Sequence, residues 1–178
     1  MSEFDKKDHT REALVIAAME LFAEEGFDTV SLRKIVAKAG AKNASAIAYH
    51  FGNRNDLLTG IADFIGDHFG EAVEVSLQEI EKKVQASESI EVRDVVRALV
   101  YPYVIMISSN PWGPHALQFW SRALALAKFS TSSETMQRLD HYLGRFVALL
   151  KICLPEHDDT SIRMRVLFSM TNLSLIHI

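Results

Sequence analysis

One cysteine, four prolines and eight glycines are all that this 178-residue chain carries of the residues that staple or break a fold. The lone Cys153 has no partner for an internal disulfide, which suits a reducing, cytoplasmic location. So little Pro and Gly beside 48% apolar residues excludes general disorder and leaves material for a real core. The longest apolar run, Ala98 to Ile107, falls far short of the ~20 residues a membrane helix requires, so no membrane partner is expected. No charged-then-apolar leader follows Met1, and there is no repeat or low-complexity tract. The histidines are scattered, and HExxH, GxSxG, P-loop and paired CxxC motifs are all missing. Neither catalysis nor a metal or other cofactor is therefore expected. A positive charge excess is missing too: the net charge is −4, so any contact with nucleic acid must be made by a patch.

Such a patch lies between Thr29 and Asn55, where Arg33, Lys34, Lys38, Lys42 and Arg54 occur with no carboxylate. A basic island on two short helices is what a duplex phosphate backbone attracts. Before it, Leu14, Ala17, Ala18, Leu21 and Phe22 repeat at the spacing of one buried helical face, and Gly26 supplies a stop with Phe27 packing beneath. Ser31 is placed to cap a second helix with Leu32, Ile35, Val36 and Ala39 inward. Gly40 ends that helix by taking the left-handed conformation a tight turn needs. Asn43 or Ser45 caps a third, anchored by Ile47 and Phe51.

Asn53 with Asp56 resembles a capping box opening a long fourth helix, in which Gly60, Gly66 and Gly70 each cost roughly 1 kcal/mol against Ala. A fifth helix runs from about Ile90 to Ile107 with Pro102 inside it, so a kink and a freed carbonyl near Ala98 are expected. A loop at 108–114, a helix over 115–129, a helix capped by Thr131 and Glu134, and a last one from Asp159 or Thr160 complete the chain. With no strand alternation anywhere, the fold class is all-α, with about nine helices.

The order LFAEEGF, then Ile35 to Gly40 as I-x-x-x-AG, then YHFGNRNDLL resembles the TetR family of one-component transcriptional regulators, over residues 10–60. Two departures stand out: Ala48 occupies a position the family usually gives to an aromatic, and the turn from Gly40 to Ser45 is one residue longer than its commonest form. The resemblance implies a helix-turn-helix DNA-binding domain at 1–52 and a helical effector-binding and dimerisation domain at 53–178. It also implies a homodimer that blocks double-stranded operator DNA until a small-molecule effector binds and pivots the fourth helix. The alternative is an architectural, chromosome-associated DNA-binding protein of the same fold without an effector.

A recognition helix reads bases with residues near its N-terminus, which assigns Lys42, Asn43, Ser45 and Ala46 to the bases. Lys42 reaches either a guanine or a phosphate, and Asn43 is either a reader of adenine or only a cap. Tyr49, His50, Arg54, Ser31 and Arg33 fall to backbone phosphates, while Lys34 and Lys38 make a solvated face. Phe64, His68, Tyr101, Tyr103, Met106, Trp112, His115, Phe119, Trp120 and Arg122 concentrate rings and polar groups between the fourth and seventh helices. They form either core or an effector pocket, for a hydrophobic or aromatic ligand. Leu139, Tyr142, Phe146, Leu149 and Leu150, with Val166, Leu167, Met170 and Leu173, make two apolar stripes for a dimer interface or for the monomer core.

Overall fold

The structure, a computed structural model, describes residues 3–41, 43, 45–126, 128 and 134–175, with side chains from residue 8 to residue 170 and at 172. Among these residues there are eight helices and no strand. They are α1 (Glu3–Glu25), α2 (Leu32–Lys38), α3 (Ala46–Phe51), α4 (Arg54–Gln85), α5 (Val92–Ser109), α6 (Gly113–Ala125), α7 (Glu134–Cys153) and α8 (Asp159–Leu175). The chain divides into two compact units: Met1–Ile65 with Pro114–Phe129, and Gly66–Gly113 with Ser130–Ile178. Residues 53–65 and most of α6 thus associate with the N-terminal helices.

In the first unit the expected stops and caps are formed. The Gly26 amide donates to the Phe22 carbonyl at 3.1 Å with φ +88°, and Gly40 takes φ +65° at the end of α2. The Ser31 hydroxyl accepts the Lys34 amide at 3.2 Å. Burial on α1 is wider than one stripe: Val15, Met19 and Ala23 are as inaccessible as Leu14, Ala18 and Phe22. α1 has neighbours on more than one side, α2 and also α6, whose Phe119 joins Phe22 and Phe27 in an aromatic triad with centroids 5.3–6.3 Å apart. Asn53 caps α4 by accepting the amides of Asn55 and Asp56 at 2.8 and 3.0 Å. The Asp56 carboxylate accepts from the Asn53 side chain rather than from the backbone, a variation on the expected box.

The second unit is built around Val73, Leu77 and Ile80 of α4, Val95 and Leu99 of α5, Leu143, Phe146, Val147, Leu149 and Leu150 of α7, and Ile162 and Val166 of α8. α5 starts later than the apolar pattern suggests, because Glu91 and Asp94 close a reciprocal capping box in front of Val92. The helix runs as one element through the buried Pro102. α4 and α7 are joined by a polar rail: Arg138 to Asp67 at 2.7 Å, Tyr142 to the Gly70 carbonyl at 3.5 Å, and Arg145 to both Glu74 and Glu81 at 2.6 and 2.7 Å. The helix glycines now have a reason. A Cβ on Gly66 would lie 3.1 Å from both Arg138 and Thr135, and one on Gly70 would lie 3.1 Å from the Tyr142 hydroxyl. Their missing side chains admit the α7 groups.

Of the two readings of the apolar stripes, monomer core describes most of the α7 positions. Phe146, Leu149, Leu150 and Val166 are 2–8% exposed within a single chain, and Tyr142 and Met170 pack against the same cluster. A side chain already covered by its own chain has no apolar area left to give a partner. Leu139 is half-buried, and Leu167 is 37% exposed. Among the described residues of α8, Met164 and Phe168 are the most open large apolar groups, at 61% and 72%. The side chain of Leu173 and the expected cap at Thr131 lie outside the described residues.

Candidate nucleic-acid interface

α2 and α3 owe their positions to buried anchors on one side of each. Ile35 and Val36 hold α2, and Ala46 and Ile47 hold α3, all within the first unit. What α3 leaves outside is Ala48, Tyr49 and part of His50. Tyr49 is 70% exposed, and its ring stands edge-on to His50 with centroids 5.0 Å apart. Ala46 is core, so its methyl is not presented at the surface as expected. Asn43 and Ser45 are exposed and engaged with each other: the Asn43 side-chain oxygen accepts the Ser45 amide at 3.0 Å and the Ser45 hydroxyl at 2.8 Å. The Asn43 backbone carbonyl also receives the Ala46 amide at 3.0 Å, so this residue opens α3 as a local turn-former. Lys42, in the same turn, lies outside the described residues.

The basic island is partly neutralised from within. Lys34 and Lys38, expected as a solvated face, pair with Glu25 at 2.5 Å and Glu20 at 2.9 Å on α1. Charge patterning along one helix did not show this, because the acidic partners belong to another. Ser31 is spent on its cap, and Arg33 is exposed. Arg54 is half-buried and turned inward. Its guanidinium donates to the carbonyls of Val30, at 2.8 Å, and Phe27, and lies over the Phe22 ring with 5.0 Å to the centroid.

The residues expected around an effector fall in different surroundings. In the first unit Phe119 is fully buried in the aromatic triad, and His115 Nε2 approaches Glu24 at 3.2 Å. There too, Arg122 lies against Gly26, while Trp120 and Phe64 are half-buried. In the second unit His68 meets Trp112 edge-on at 5.1 Å, Tyr103 meets Phe69 at 4.9 Å, and Met106 is buried. Tyr101, 47% exposed, borders an open cavity of about 410 Å³ whose walls are Val75, Ile80 and Lys83 of α4 and Asp94 and Arg97 of α5. Among the described residues no group of three or more His, Cys, Asp or Glu side chains is placed to hold a metal ion. No helix among them is long and apolar enough to cross a membrane.

Residues 14–61 match the family model described as bacterial regulatory proteins, tetR family. Over 77 residues the chain is 35% identical to the HTH-type transcriptional dual regulator CecR of Shigella flexneri, a match covering 43% of this chain and 34% of that relative. The chain thus spans about a third of the length of the curated relative it matches. Among solved structures, a TetR family transcription regulator from Marinobacter aquaeolei VT8 shares the fold at a TM-score of 0.57 and 15% identity, covering 97% of each chain. The TetR transcription regulatory protein from Mycobacterium vanbaalenii does so at 0.51 and 15% identity, covering 99% of this chain and 97% of that one. Over residues 14–61, the chain is thus similar to the N-terminal domain of bacterial regulatory proteins of the tetR family.

Proposed function

We propose that this protein is a DNA-binding transcriptional regulator, a homodimeric repressor that leaves its operator when a small hydrophobic or aromatic effector binds. In this scheme residues 1–52 read the duplex and residues 53–178 hold the effector and the dimer contact. The observation that carries it is α3: anchored by Ala46 and Ile47 and projecting Tyr49 at 70% exposure. Tyr49, His50 and Arg33 are assigned to phosphates, and Lys42 and Ser45 to the groove edge. Asn43 sets the turn that aims them.

The effector half of the scheme is supported by the cavity beside Tyr101, whose volume lies in the range of small-ligand sites. An effector acts only by binding one separation of the two reading heads better than the other. Selection of bound sites from random duplexes, followed by gel shifts at two salt concentrations, tests the assignment. Affinity is expected to fall steeply with salt, and Tyr49→Ala to weaken binding at unchanged thermal stability. Retention of the selected site by a Tyr49→Ala, Arg33→Ala double variant with wild-type affinity would remove α3 from the interface. Operator release across a metabolite panel separates a ligand-responsive repressor from an architectural protein.

A further inference from the structure

We infer that Arg54 is a positioning residue that aims α3, and not a phosphate contact. This inference deepens the proposed function and rests on it. The chemistry begins at the connection between α1 and α2. Phe27 and Val30 are 4% and 2% exposed, so their backbone carbonyls are removed from water and need donors. Arg54 reaches back from the first turn of α4 and gives one guanidinium nitrogen to each, across 27 and 24 residues of sequence. The same group lies over the buried ring of Phe22, 5.0 Å from its centroid. Fork and stack together occupy the guanidinium in one orientation, and turning it toward a phosphate would empty both carbonyls and uncover the ring.

The consequence for reading is geometric. α3 ends at Phe51, and Gly52, at φ +83°, and Asn53 alone separate it from Arg54. Tying Arg54 to the α1–α2 connection therefore fixes the C-terminal end of α3 against the body of the reading unit. The Asn43 turn fixes the other end. Sequence position gave Arg54 a phosphate because it stands in a basic island. Its guanidinium instead converges on the aromatic cluster of Phe22, Phe27 and Phe119.

Lysine discriminates the two roles. An ammonium serves a phosphate well as a point charge, but it has no planar fork for two carbonyls and does not stack as a guanidinium does. Arg54→Lys is compared with wild type well below its unfolding temperature, on the selected operator and on unrelated duplex. The expected result is a fall of about tenfold or more in the ratio of specific to non-specific affinity, the scale of a mispositioned base contact. The salt slope of non-specific binding is expected to stay unchanged. Full activity of Arg54→Lys, with Arg54→Gln lowering the salt slope by about one, identifies a phosphate contact and overturns the inference.

If Arg54→Lys does not fold, the wild-type protein still decides. Separate, exchange-protected Nη proton resonances of Arg54 are expected without DNA and little changed by duplex, and resonances that appear only with duplex overturn the assignment. Should wild type bind no duplex in dilute salt, the regulatory reading fails. Those DNA-free resonances then report on the Arg54 tie by itself.

Discussion

A missing side chain counts as room only where nothing already occupies it, and two glycines of the second unit sit at opposite ends of that scale. A Cβ on Gly113, the first residue of α6, would stand 2.1 Å from the Met106 carbonyl oxygen and 2.8 Å from its carbon. Backbone cannot swing aside as a flexible side chain does, so Gly113→Ala must displace the α5–α6 connection. A loss of about 1–3 kcal/mol is expected, the usual scale of overpacking, read by urea denaturation at neutral pH. A Cβ on Gly144, within α7, would meet nothing within 4 Å among the described residues. Gly144→Ala removes unfolded-chain freedom without strain and is expected to add about 0.4–1 kcal/mol. Equal stabilities for the two variants would mean that the Met106 carbonyl does not close on Gly113.

Between elements, the rail joining α4 to α7 concentrates on Arg145, which is 19% exposed and holds two carboxylates seven residues apart on α4. The Arg145 hydrogen bond holds Glu74 below the usual carboxylate range, and its partners raise the Arg145 guanidinium in turn. Arg145→Ala leaves Glu74 and Glu81 without their shared cation. A loss of about 1–2 kcal/mol is expected at low salt, shrinking as salt screens these partly exposed groups. The sign with pH follows from the lowered carboxylate: its contribution is complete above the ordinary carboxylate value and is lost as pH falls through the depressed one. Urea unfolding of wild type and variant should therefore diverge at neutral pH and converge in strong acid. A gap independent of pH would assign the effect to lost packing of the arginine stem. Such pairs were not legible in the chain, because Arg145 and Glu74 are 71 residues apart and each alone looks like a solvated surface charge. Gly26, Ser31, Gly40 and Asn53 were legible, since a cap or stop is completed within a few residues. The apolar periodicity of α7 was legible as well, but periodicity says that a face is covered and not by what. For Phe146 and Leu150 the cover is their own chain. Arg54 and Phe119 were assigned from their sequence neighbours, and their true surroundings, around Phe22 and Phe27, come from distant segments.

At the scale of the whole molecule, the proposed homodimer must use surface that the monomer leaves open. Met164 and Phe168, four residues apart on α8, are 61% and 72% exposed, with Leu167 between them at 37%. Residues at that spacing share a helical face, and a face of large apolar groups directed to water is what an interface covers. A two-fold contact repeats the same patch on both copies, so one substitution alters the interface twice. Phe168→Glu is therefore expected to shift sedimentation toward the monomer, with little change in the unfolding of the isolated chain, because so exposed a ring contributes little to its own core. Operator affinity should fall much more than non-specific affinity. The reason is geometric: two heads spaced about one helical turn, ~34 Å, read a two-fold site together, whereas a single head keeps only its own phosphate contacts. A Phe168→Glu protein that sediments as wild type and keeps its operator would place the dimer contact on another face, while weakened assembly with intact operator binding would show that one head suffices.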